Sequence, residues 1–216
     1  MQVINKFVHD TAYEDDEILV ENHGKTRVRI GPHVRFNRCR VVFDSFARGI
    51  SIGSVEFTDC QIVAKRRLVG ADFFQTSLRR CTLTGHFTDC DFGWMDGKAV
   101  GSRGYGVLED CDFSGSVLED CGFLKCDLKR VILPRKWPQI VLESYQAQAQ
   151  VLLEAEMLKA EKNVPLRALY SVMAEDTPEC IALVIQAKRI AKLTQCTEEE
   201  VKALVQTWPF AKLELG

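Results

Sequence analysis

The sequence predicts a mainly β solenoid of about five coils, opened by a β-hairpin cap and followed by an α-helical module. The first observation is a five-residue beat. From Cys111 the chain divides into CDFSG, SVLED, CGFLK, CDLKR and VILPR, centred on Phe113, Leu118, Phe123, Leu128 and Leu133. Cys111, Ser116, Cys121, Cys126 and Val131 stand two residues before those centres. This period fits neither a 3.6-residue helix nor a two-residue strand. It fits a chain that turns a corner every five residues and points the same two side chains inward on each face. The second observation is a longer recurrence. The step from Phe36 to Phe57 is repeated to Leu78, and Val41, Ile62 and Leu83 keep the same step. Four five-residue faces plus one extra position therefore complete a circuit. The third is a change after Leu133, where glycine disappears until Gly216 and helix formers take over.

Residues 1–17 are polar and acidic and read as a solvated lead-in. Ile18–Glu21 and Arg27–Ile30 flank Asn22-His23-Gly24-Lys25 and read as a hairpin within a capping segment, 1–33, that covers the first open edge. The solenoid proper spans 34–133. Its inward centres run Phe36, Val41, Phe46, Ile52, Phe57, Ile62, Leu68, Phe73, Leu78, Leu83, a weak position near Phe87, and Phe92. Cys39, Cys60 and Cys81 share the circuit spacing and are expected to stack, with Cys121 rejoining them two coils on. Cys90 and Cys111 are expected on another face. Asp44 and Arg66 stand where a small inward residue belongs.

The stretch 93–107 breaks the beat with five glycines. Phe92 and Phe113 still keep the step of one circuit, so the break is expected to replace two faces of one coil without lengthening it. Trp94, Lys98, Arg103 and Tyr105 lie between the glycines, and two aromatics with two cations on a loop suit partner recognition. The stretch matches no phosphate-binding motif.

In the module 134–216, helix formers run from Gln139 to Lys162, with Val141, Tyr145, Leu152, Ala155 and Leu158 near one face. Further helices are expected to start at Pro165, at Thr177-Pro178-Glu179, and at Thr197, whose spacing to Glu200 is that of a capping box. Their first duty is to cover the far end of the solenoid. Surplus apolar surface on Leu152, Leu153, Met157 or Ile181 to Ile185 is left for a homodimer or another partner. Trp208 reads as an anchor.

The pattern resembles the pentapeptide-repeat family, on Ala71-Asp72-Phe73, Cys90-Asp91-Phe92, Cys111-Asp112-Phe113 and Cys126-Asp127-Leu128. The resemblance covers roughly residues 34 to 133 and implies a right-handed quadrilateral β-helix. Five coils stacked ~4.8 Å apart make a rod of roughly 24 Å.

Composition limits the function. A net charge of −2 predicts no general affinity for nucleic acid or anionic membrane. The N-terminus has neither the basic start nor the apolar core of a signal peptide, and no apolar run is long enough to span a bilayer. A cytoplasmic location is expected, with the nine cysteines as small buried hydrophobes rather than disulfides. No CxxC pair or HExxH occurs, and the four histidines are isolated, so neither metal, cofactor nor catalysis is expected. The expected role is a non-catalytic scaffold that binds a protein partner through its outer faces, the glycine-rich loop and the helical module. The resemblance implies an alternative, a DNA-mimicking inhibitor or protector of DNA gyrase. Residues 1–136 hold 20 Lys and Arg against 19 Asp and Glu, which makes a poor copy of uniformly negative DNA. A β-helical enzyme is a third class.

Overall fold

The computed structural model describes residues 1–22, 27–45, 49–71, 73, 76–93, 106–159, 163–176 and 178–213. The chain divides into two compact units, Met1–Pro134 and Arg135–Gly216.

The first unit is a β-solenoid of about five turns built from parallel walls. One wall stacks Ala12–Glu14, Val34–Asn37, Val55–Thr58, Thr76–Arg79 and Leu108–Glu109. The next runs Gln2–Ile4, Glu17–Glu21, Arg40–Asp44, Gln61–Val69, Thr82–Thr88, Cys111–Asp112 and Val131–Ile132, with Ser116–Glu119 pairing the far end of Thr82–Thr88. Val28–Ile30 pairs with Ile50–Ile52, and Asp91–Gly93 with Cys121–Leu124. Phe36 lies over Phe57, Ile62 over Val41 and Leu83 over Ile62, so the longer recurrence in the sequence is the length of a coil.

The five-residue beat works through two inward side chains per stretch. Phe57, Ile62, Leu68, Phe73 and Leu78 are all buried, and so are Val55, Cys60, Ala71 and Thr76, two residues before four of them. Aromatic rings at equivalent positions stack at about the strand spacing. Tyr13, Phe36 and Phe57 follow one another at 5.0 and 4.7 Å, and Phe73, Phe92 and Phe123 at 5.0 and 5.4 Å. The small inward residue has a polar task as well. The Cys60, Cys81 and Cys111 thiols donate to the carbonyls of Phe36, Phe57 and Leu78 in the coil before (3.4, 3.5 and 3.4 Å), and the Ser116 hydroxyl does the same to Leu83 at 2.8 Å.

Three expectations about the first coil are corrected. The solenoid begins at residue 2, not 34. Glu17–Glu21 and Val28–Ile30 form no hairpin with each other; each pairs in parallel with the coil above it. The expected lead-in is coil as well: Glu14 and Glu17 lie in strands, and Asp10 and Asp15 sit at corners with positive φ (47° and 52°), a conformation that Asp tolerates better than most residues.

The glycine-rich stretch lengthens its coil. Leu78 pairs with Leu108 and Phe87 with Leu118, which makes this coil nearly half as long again as the one from Phe36 to Phe57. Phe92 therefore stacks on Phe123, not Phe113, which meets it edge-on at 4.9 Å and 73°.

The same insertion re-sorts the cysteines. Cys111 joins Cys39, Cys60 and Cys81, as its bond to the Leu78 carbonyl shows, while Cys121 stacks over Cys90 and donates to Phe87. At Arg66 the wall bulges. The pairing shifts between Gly85 and Phe87, and Lys65, Arg66 and Arg67 turn outward. Gly85 makes room for this, since a Cβ there would lie 2.1 Å from the Ala64 carbonyl oxygen.

The second unit holds four helices and a three-stranded antiparallel sheet in which Gln139–Glu143 lies between Cys180–Gln186 and Ala211–Lys212. Helix α1 is Gln146–Met157, α2 Val164–Ala174, α3 Ala187–Thr194 and α4 Glu198–Gln206. Two expected helical stretches are strands. In Gln139–Glu143 the run Gln139–Leu142 is buried throughout, as in a strand covered on both faces, and Ser144 at φ 49° ends it before α1. Pro178-Glu179 lies in a turn ahead of Cys180–Gln186, whose Ile181, Val184 and Ile185 favour strand. Two expected helix starts hold. Pro165 lies in the first turn of α2, which the Asn163 side chain caps by accepting from the Leu166 N–H, and Thr197 and Glu200 form a reciprocal capping box on α4. Among the described residues no helix is long and apolar enough to cross a membrane.

Candidate interaction surfaces

One solenoid corner carries an ordered column of charge. Asp15, Arg38, Asp59, Arg80 and Asp110 occupy it in successive coils, all with φ between 52° and 55°. The N–H of each of the first four donates to the coil above, at Asn37, Thr58, Arg79 and Glu109. Arg130 follows Asp110. Acid and base alternate along the whole column, and three of its pairs are two-pronged Arg–carboxylate bonds. Arg38 grips Asp15 at 2.7 and 2.6 Å, Arg80 grips Asp59 at 2.6 and 2.9 Å, and Arg130 grips Asp110 at 2.9 and 2.6 Å. Glu14 and Glu109 add second contacts to Arg38 and Arg130. The guanidinium bonds hold the Asp15, Asp59 and Asp110 carboxyls below the usual carboxylate range, so these acids stay charged and have no proton to give near neutral pH.

Two smaller clusters tie coils together. Asp44 is clamped by Lys65 at 2.6 Å and Arg66 at 2.5 Å. The Lys65 ammonium, then Arg66, holds its carboxyl low. Glu119, only 8% exposed, accepts from Arg67 at 2.6 Å and meets His86 Nε2 at 3.3 Å, while Arg67 also donates to the Thr88 hydroxyl at 2.9 Å. This group joins an acid, a base and an imidazole. Each of these contacts spans coils, which makes the group a clasp between the bulged strand and its neighbours.

The residues expected to recognise a partner, Trp94, Lys98, Arg103 and Tyr105, lie outside the described residues. The two ends of their stretch are described. Gly93 ends the strand Asp91–Gly93 at φ 99°, where a Cβ would lie 2.0 Å from the Leu124 carbonyl oxygen. Gly106 has φ 91°, and the adjacent Val107 carbonyl accepts from Leu78 N–H at 2.7 Å. The two described ends of the stretch therefore sit at backbone positions suited to glycine.

In the helical unit several buried polar groups are paired, while Arg167 Nε on α2 is buried without a hydrogen-bond partner among the described residues. The Tyr145 hydroxyl, buried, donates to Asp176 and lies 3.4 Å from the Cys180 thiol. Burial pushes its pKa well above the ordinary phenol value. Glu156 takes Lys159 and the Asn163 N–H between α1 and α2. Trp208 is an anchor, buried, stacked on Phe210 and donating to the Tyr170 hydroxyl at 3.2 Å.

The apolar surplus lies elsewhere than expected. Leu152 and Leu153 are half-buried, Ala182, Val184 and Ile185 are buried, and only Met157 of the residues named for this role is well exposed. Val151, Leu158, Val164 and Val172 are exposed instead. Reading Gln139 to Lys162 as one helix puts Leu158 on one face with Val141 and Tyr145, which are buried while Leu158 is exposed. No protein-family profile, curated protein or solved structure matches the chain.

Proposed function

We propose that the solenoid is a right-handed quadrilateral helix of the pentapeptide-repeat type, and that the protein is a non-catalytic cytoplasmic scaffold. It binds a protein partner through its outer faces, the 94–105 excursion and its helical unit. The observation that carries this reading is the charge column. Its carboxylates are spent on arginines and held ionised, so they serve as fixed structure rather than as acids or bases. The interior is closed by stacked rings and thiols, which leaves the outer surface as the part that meets other molecules. The pairing of an inward centre with a small residue two positions earlier supports the pentapeptide type. Nine unbridged cysteines suit a reducing compartment.

The column also weighs against DNA mimicry. A duplex presents phosphates of one sign at every step, whereas this corner changes sign with every coil. The test is a cellular pulldown with the wild-type chain and with Trp94→Ala/Arg103→Ala. The wild type retains a partner that the double variant loses; equal capture by both removes the excursion from the binding site. A gyrase supercoiling assay gives a flat dose response, and inhibition or protection in that assay would overturn the preference for a scaffold.

A further inference from the structure

Helices α1 and α2 pack side by side, each with a buried and an outer face. Ala149 and Glu156 of α1 and Leu169, Tyr170 and Met173 of α2 face the core. A helix with only a covering duty carries polar residues on its outer side. Here the outer side of α1 presents Ala147, Val151 and Ala155 at steps of four, then Leu158, all exposed. On α2, Val164, Ala168 and Val172 repeat the step of four. Exposure reaches 64% at Val151, 89% at Leu158, 66% at Val164 and 69% at Val172.

We propose that this two-helix face is where the protein pairs with a second copy of itself, the α1–α2 faces meeting about a twofold axis as a four-helix contact. The proposal deepens the scaffold reading, on which it rests, by naming the occupant of the helical unit. Two features select a second copy. Rows of alanine alternating with valine offer ridges and the grooves that receive them, so the face is complementary to itself. The area is also sufficient. The four large residues and the alanines between them present roughly 600 Å² of apolar surface, the upper end for a lone patch on a monomer. Pairing two such faces buries about 1,200 Å², the lower edge of stable specific interfaces. Charge takes little part, since the described charges beside these stripes, Glu154 and Lys159 on and after α1 and Glu175 after α2, are few and of both signs, so a partner of strong single-sign charge finds little to hold.

Sedimentation equilibrium of the purified full chain, from ~1 to ~100 μM, tests this. A dimer of about twice 24.4 kDa is expected to form across that range. Val151→Glu and Val172→Glu replace exposed side chains. Each is expected to keep the far-UV spectrum and melting temperature while weakening the dimer at least about tenfold. Leu193→Glu, at an exposed apolar residue on α3, leaves association unchanged. A monomer at all concentrations, or a dimer indifferent to both α1 and α2 variants, overturns the proposal. The pulldown reads separately: a monomer whose partner capture depends on Trp94 and Arg103 defeats the dimer and leaves the scaffold standing. A dimer without such capture does the reverse.

Discussion

Phe92→Ala is the sharpest probe of the solenoid interior. Phe92 is fully buried and touches four rings, Phe113 at 4.9 Å, Phe73 at 5.0 Å, Phe123 at 5.4 Å and Phe87 at 6.1 Å. An aromatic side chain buries ~150–250 Å², which at ~25 cal/mol per Å² is roughly 4–6 kcal/mol of transfer free energy. Alanine keeps part of that and leaves a cavity walled by rings on neighbouring coils, which cannot collapse without breaking the stack. A loss of about 4 kcal/mol is expected, in the range for buried Phe→Ala, or roughly 15 °C in melting temperature for a unit of this size. Tyr13→Ala is the internal comparison. Among the described residues Tyr13 ends its stack with one ring neighbour, Phe36, and it is only half-buried, so about 1–2 kcal/mol is expected. Urea unfolding followed by far-UV circular dichroism measures both. The reasoning fails if Phe92→Ala costs no more than Tyr13→Ala, because stacking through the inserted coil would then contribute nothing.

Two further outcomes follow from the thiols and the carboxylates. Seven cysteines are buried, and only Cys126 and Cys196 are partly open. Burial raises the Cys39 and Cys121 thiols, and the Cys111 and Cys60 thiols with burial raise Cys81, so Ellman's reagent should titrate two thiols quickly in the native protein and all nine in guanidinium; seven fast thiols would contradict the stacked interior. The Asp15, Asp44, Asp59 and Asp110 carboxyls are depressed by folding, so their contribution is complete above the unfolded value near 4 and is lost as pH falls through the folded values. Melting temperature should hold from pH 8 to about pH 5 and drop below about pH 4, and a fall between pH 7 and 5 would assign the acid sensitivity to other groups.

The coil was legible from Phe36, Phe57 and Leu78 because an inward position on a solenoid repeats its residue type, and that repeat survives in one sequence. Three things were not. The first coil has its own spacing, with Tyr13 stacked on Phe36 and Ile18 paired with Val41. Both steps are wider than Phe36 to Phe57, so a search at the later spacing passes over them. The inserted stretch was misjudged because Phe92 and Phe113 happen to lie one coil length apart, although they occupy different walls. Spacing alone cannot tell a coincidence from a stack; the pairing of Cys111 with the Cys81 ladder can. In the helical unit, Ile140-Val141-Leu142 and Cys180–Gln186 are short apolar runs that fit a buried strand as well as a helix turn. Their mutual pairing decides it, and that is a long-range fact. At the candidate site the four named residues lie outside the described residues, while the exposed helix stripe became visible only once the helix was known to begin at Gln146.

The corner column and the long coil bear on each other. A solenoid coil buries its inner face only against its neighbours, and many of its inward residues are alike, so the contacts within the interior do not by themselves identify which coil follows which. The longer coil, in which Leu78 pairs with Leu108, adds to that ambiguity, because extra length changes the cost of closing a coil only slightly. The column removes the ambiguity. Its sign alternates, so skipping one coil sets Asp110 beside Asp59, or Arg130 beside Arg80, and turns a two-pronged attraction into repulsion at the corner where the backbone already holds positive φ. Exposed pairs of this kind contribute little to stability. Their value here lies in choosing among stackings that the core alone does not distinguish, and this is why the alternation runs unbroken past the coil that carries the insertion.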